Sequence, residues 1–192
     1  MTEMKDFKYQ NVVMIRSIES QSSFLHAFLN GFSLVYRGVK GNCQKLEALV
    51  KSVRKDLSIE IEKRCEFSQD VRWYDFTMNG TLPRLGAEYS LEKTKAKLNS
   101  ETALDPDFYE FVCDIFGYDL YVVNSETKTI TLSRLRHRPG IVLLQTKDKF
   151  DLLGIKRESG NVDTVFGEDD DFIDSLRQSP VPPSLNREMM KQ

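Results

Sequence analysis

The stretch SQSSFLHAFLNGF, residues 20–32, decides how this chain is read. A run of small polar residues passes directly into an apolar helical pattern. Phe24, Leu25, Phe28 and Phe32, continuing to Val35 and Tyr36, recur at helical spacing. Ser22 or Ser23 is placed to cap the first turn by accepting a bond from an otherwise unpaired backbone N–H. Upstream, VVMIR (12–16) reads as a short strand. The unit is therefore a strand, a tight polar turn and a core helix. Such a turn presents one side chain at a helix N-terminus, as a cap or as a reactive group.

Working outward, residues 43–57 form a second amphipathic helix with Leu46, Leu49, Val50, Val53 and Leu57 on one face. Residues 66–103 hold the sole tryptophan, Trp73, a PRLG turn at 83–86 and the lysine-rich SLEKTKAKL at 90–98. This region is expected to be helical with a long connecting loop. LDPDFYEFVCDIFG (104–117) predicts a helix with Asp105 as cap, Pro106 in the first turn and Gly117 as the stop.

The pattern then switches to strands. YDLYVVN (118–124) and TKTITLS (127–133) predict a hairpin. GIVLLQT (140–146) is a continuous apolar run, as in a central strand. FDLLGIKR (150–157) and NVDTVF (161–166) predict another pair joined by ESG. DDDFIDSLRQ (169–178) predicts a short helix whose leading acids suit the positive helix N-terminus. The order implies an α+β domain over residues 1–178, a small central, mostly antiparallel sheet covered by a helical lobe. The proline-bearing residues 179–192 are expected to form an extended or disordered arm.

Composition narrows the function. The chain has 192 residues with a formal net charge of −2, which gives no support to a nucleic-acid binder. No apolar run is long enough for a membrane segment, and no secretion signal is visible. The three cysteines, Cys43, Cys65 and Cys113, are widely spaced, which argues against disulfides, against a zinc site and for an intracellular setting. Only His26 and His137 could serve imidazole chemistry. No metal and no cofactor are expected. His137 lies in the basic loop RLRHRPG (134–140), read either as a solvated loop or as a contact for an acidic partner.

Three segments together resemble the ovarian-tumour (OTU) cysteine deubiquitinases, in particular the divergent branch from large DNA viruses. SQSSFLHAF (20–28) is similar to the family's nucleophile motif. FVCDIFGYDLYVVNSETKTI is similar to the helix, glycine and strand that precede the catalytic sheet. IVLLQTKDKFDLLGIKRESGNVDTVF is similar to the closing strands. The resemblance covers roughly residues 10–178 and implies a papain-like cysteine-protease architecture.

The family's chemistry needs a thiolate at a helix N-terminus with an imidazole base beside it. Laid over this chain, the cysteine position falls on Ser23, the histidine position on Lys149 and the motif aspartate on Ser20. Asp151 stands where an orienting residue would lie. Both reacting groups are thus replaced. The resemblance implies an inactive OTU-like domain that binds protein partners, ubiquitin or other virion proteins, in the host cytoplasm or a virion. His26 and Phe150 are its candidate cleft residues. The alternative is an atypical hydrolase in which Ser23 attacks and Lys149 acts as base, since Ser/Lys pairs exist.

Overall fold

The computed structural model describes residues 2–3, 11–39, 41–78, 90–133 and 135–177. Three strands of the C-terminal half alternate their apolar residues between two cores. In β5 (Asp119–Asn124), Leu120 and Val122 enter one core while Tyr121 enters the other. In β7 (Gly140–Thr146), Ile141 and Leu143 oppose Val142 and Leu144 in the same way. In β8 (Lys149–Lys156), Phe150 and Leu152 oppose Leu153 and Ile155. Burial on both faces is why these strands read as continuous apolar runs rather than as clean alternation.

The sheet is completed by β1 (Thr2–Glu3), β2 (Val12–Ile15) and β6 (Ile130–Leu132), in the order β1-β2-β8-β7-β5-β6. A short β9 (Val162–Asp163) also pairs with β8. All pairings are antiparallel except β5 with β7, so β7 lies centrally between a parallel and an antiparallel neighbour. The α+β architecture with a mostly antiparallel sheet matches the expectation from the sequence.

The larger core lies under the helical lobe. Helix α1 (Ser23–Phe32) is buried nearly all round and packs on β8 and β7. Burying Leu25 and Phe28 stabilises the fold by about 1.5–3 kcal/mol each. At Gly31 a Cβ would come within 3.2 Å of the Ile141 side chain, so a glycine lets the helix end lie close to the sheet. The helix stops at Ser33, whose side chain instead caps α2 (Leu34–Gly38) by accepting from the Tyr36 amide. The apolar periodicity runs through this break, and it alone predicts one longer helix.

Helix α3 (Cys43–Glu60) is capped by Asn42 and buries Leu46, Val50 and Leu57. Residues 64–78 differ from expectation. They form a hairpin of β3 (Arg64–Cys65) and β4 (Ser68–Arg72), followed by α4 (Trp73–Met78). Helix α5 (Leu91–Asn99) is capped by Ser90.

Helix α6 (Asp107–Phe116) begins with backbone bonds from the Phe108 and Tyr109 amides to the Asp105 and Pro106 carbonyls. It ends as predicted at Gly117, whose φ of 74° is the left-handed conformation that glycine adopts freely. Helix α7 (Asp171–Arg177) covers the second face of the sheet through Phe172, Ile173 and Leu176. The predicted arm at 179–192 lies outside the described residues.

Candidate functional site

The turn before α1 is held by its own serines. The Ser22 amide donates to the Ser20 hydroxyl (3.2 Å), and the Ser23 amide to the Ser20 carbonyl (3.0 Å). The predicted side-chain cap is absent: Ser22 makes no cap bond, and its Oγ accepts from Arg54 (3.1 Å). Ser23 is 1% exposed and points across to the β7–β8 turn. Its Oγ donates to the Asp148 carbonyl and accepts from the Phe150 amide, both at 3.3 Å. The hydroxyl therefore fastens α1 to the sheet.

Lys149 is the first residue of β8 rather than a loop residue. Its ammonium donates to Glu19 (3.0 Å) and lies 3.9 Å from the Asp151 carboxylate. The pairing with Lys149 holds the exposed Glu19 carboxyl below its ordinary range. Asp151 is buried and accepts from the Ser17 amide at 2.8 Å, which ties the chain after β2 to β8. The structure thus brings Ser20, Ser23, Lys149 and Asp151 to one junction of turn, helix and strand. Glu19 and Ser17 complete it.

Phe150 and His26 are both buried. Phe150 packs edge-on against Phe24 (5.6 Å between ring centres) and Tyr109 (5.8 Å), while Phe24 stacks on Tyr109 at 4.0 Å. His26 Nδ1 is hydrogen-bonded to the Tyr36 hydroxyl at 2.9 Å. Burial pushes His26 down to about 4 and Tyr36 up to about 12, so at neutral pH the imidazole is uncharged and the phenol protonated. His137 is exposed and bonds Glu168, which raises its pKa. Neither imidazole is free to serve Ser23. Among the described residues no three His, Cys, Asp or Glu side chains converge to hold a metal ion.

The basic loop behaves differently from a solvated one. Arg136 makes a bidentate pair with Asp114 (2.6 and 2.8 Å) and rests 4.5 Å from the centre of the Phe67 ring. Arg138 bonds Asp114 (2.8 Å) and Asp119 (3.2 Å). Both arginine charges are spent inside the fold.

Sequence reasoning missed Arg54, although a signal exists. Arg54 falls four residues after Val50 and three before Leu57, on the apolar stripe of α3. Glu19 carries no comparable signal, because a lone acid in a polar turn belongs to no periodic pattern.

The α+β sheet, with a core helix rising from a small-residue turn beside the start of a strand, defines the class of fold. Its fold is that of an OTU domain. The structure is similar to an OTU domain solved in complex with ubiquitin, at 14% identity over 86% of this chain and 83% of that one, with a TM-score of 0.57. Also similar are an OTU deubiquitinase of Wolbachia pipientis wMel (15% identity, 76% of this chain and 89% of that one, TM-score 0.45) and a viral OTU protease domain from Farallon virus (13%, 75% and 84%, TM-score 0.42). No family model and no characterised protein sequence matches the chain.

Proposed function

We propose that this chain is a non-hydrolytic OTU-fold module that binds a protein partner, with ubiquitin the first candidate. The observation that carries this reading is the state of Ser23. Its proton goes to the Asp148 carbonyl, one lone pair receives the Phe150 amide, and its side chain is buried. An attacking hydroxyl needs a base to take that proton. Lys149 donates to Glu19 instead, and His26 is bonded to Tyr36. These contacts count against the alternative of a Ser23–Lys149 hydrolase. Ubiquitin is the candidate because the similar OTU domain was solved in complex with it. A virion-associated setting belongs to the same proposal, and absence of the protein from purified particles would remove that part.

The test pairs binding with cleavage. Titration of isotope-labelled ubiquitin with the full chain should shift a contiguous set of ubiquitin resonances, while ubiquitin chains incubated with the protein stay intact. Unchanged ubiquitin spectra at about 1 mM protein would discard ubiquitin as the partner. Cleavage that disappears in Ser23→Ala would discard the non-hydrolytic reading.

A further inference from the structure

Arg54 is an arginine on the buried stripe of α3, 2% exposed. Its guanidinium donates to the carbonyls of Lys97, Leu98 and Thr102, each at 2.9 Å, and to Ser22 Oγ. Every one of these partners is neutral, and among the described residues no carboxylate pairs with it. A buried cation usually has a counter-ion, because desolvation of the charge is otherwise uncompensated. Burial already pulls Arg54 below the usual arginine range, with Glu101 opposing.

A cavity of about 420 Å³ opens beside this cation, between the turn before α1, α3 and the end of α5. Arg54, His26, Ser22 and Val50 line its inner part, and they are buried or half-buried. Since His26 is uncharged at neutral pH, Arg54 supplies the charge there. The outer part carries the carboxamides of Gln44 and Asn99; Asn99 Oδ1 already accepts from Ser58 Oγ (3.1 Å), which leaves its amide N–H groups to donate. It also carries the exposed pair Lys51–Glu101 (3.3 Å) and Glu47.

We propose that this cavity binds an acidic peptide segment, one carboxylate seated toward Arg54 and the peptide backbone held by Gln44 and Asn99. The volume is several times that of an inorganic anion. Among the described residues no aromatic ring other than the His26 imidazole lines it, so they offer no platform of the kind that stacks a nucleobase. Glu47 and Glu101 at the mouth disfavour a polyanion such as a phosphate and tolerate a singly charged side chain. The exposed Lys51–Glu101 pair is weak, so exchanging Glu101 for the carboxylate of a ligand costs little. The site faces α3, whereas Ser23 and Lys149 face the β7–β8 turn. It shares Ser20 and Ser22 with the turn that presents Ser23, but its test reads peptide binding at Arg54 rather than ubiquitin binding.

The test is a titration of the full chain with a blocked tripeptide bearing a central glutamate, followed by the Arg54 Nε–H resonance. The glutamate peptide should shift this signal and the Ser22 and Ser100 amides, with a Kd about tenfold below that of its glutamine counterpart. Ala48→Trp, at an exposed position of the mouth, should abolish the shift while leaving the thermal midpoint unchanged. Lys51→Glu should weaken binding several-fold. Equal shifts from both peptides, full binding by the Ala48→Trp protein, or a stronger response to inorganic phosphate would each overturn the proposal.

Discussion

Two polar clusters sit at the ends of interior strands of the sheet, and they are built differently. At the β7–β8 turn, Lys149 meets an exposed glutamate, and Ser23 makes two bonds of 3.3 Å to backbone atoms. At the start of β5, two arginines enclose Asp114 and Asp119, whose side chains are 1% exposed. The first cluster is where the motif predicts chemistry, yet it holds few strong contacts. The second comes from a loop whose composition suggests a solvated surface, and it is the tighter of the two. Charge density in a sequence thus says little about burial. Whether a carboxylate waits beneath the loop decides it.

The comparison can be broken first at Asp114. Replacing it by alanine strips a buried partner from both arginines, leaving Arg138 only Asp119, and should cost about 3–5 kcal/mol. A urea midpoint near wild type for Asp114→Ala would mean the network is not structural.

The next effect is a pH dependence at His26. Its folded pKa is about 4, below the ordinary 6.5, so between those values the unfolded chain binds the proton and the folded one does not. Stability should therefore fall as pH drops from about 6.5 toward 4, by up to about 3 kcal/mol. Below that window this group adds no further loss. Denaturation midpoints across this range should flatten in His26→Gln, and an unchanged slope would remove His26 as the cause.

Ser23→Ala comes third. It leaves the buried Phe150 amide without its acceptor and should cost about 1–3 kcal/mol, read from thermal unfolding. A neutral result would show that the hydroxyl does not fasten α1 to the sheet. Smallest is Lys149→Ala, whose lost pair with exposed Glu19 should cost under about 1 kcal/mol and vanish in high salt. A loss comparable to that of Asp114→Ala would erase the contrast between the clusters.

Much of the fold was legible because long apolar periods announce it. Helix α6 with its Gly117 stop, the β5–β6 hairpin and the central β7 all follow from local pattern. The β3–β4 hairpin did not, because SQDVR is a short polar strand paired only with its neighbour. The break at Ser33 was hidden because Val35 and Tyr36 continue the apolar rhythm while the cap shifts to a new helix. At the site, Ser23, Lys149 and Asp151 were brought together by motif spacing. What each does was not visible, since hydroxyl and ammonium partners come from backbone atoms and from Glu19, which leave no periodic trace.

The bond between the Ser17 amide and Asp151 joins residues 134 positions apart, and β2 meets β8 over a similar span. Contacts of such sequence separation form late and slowly, because a long loop must close before they are rewarded. The turn that presents Ser23 is synthesised before β8 but acquires its shape only once β8 exists. Until then the apolar faces of α1 have no sheet to cover them. The interval between synthesis of α1 and synthesis of β7 and β8 therefore leaves apolar surface exposed to aggregation.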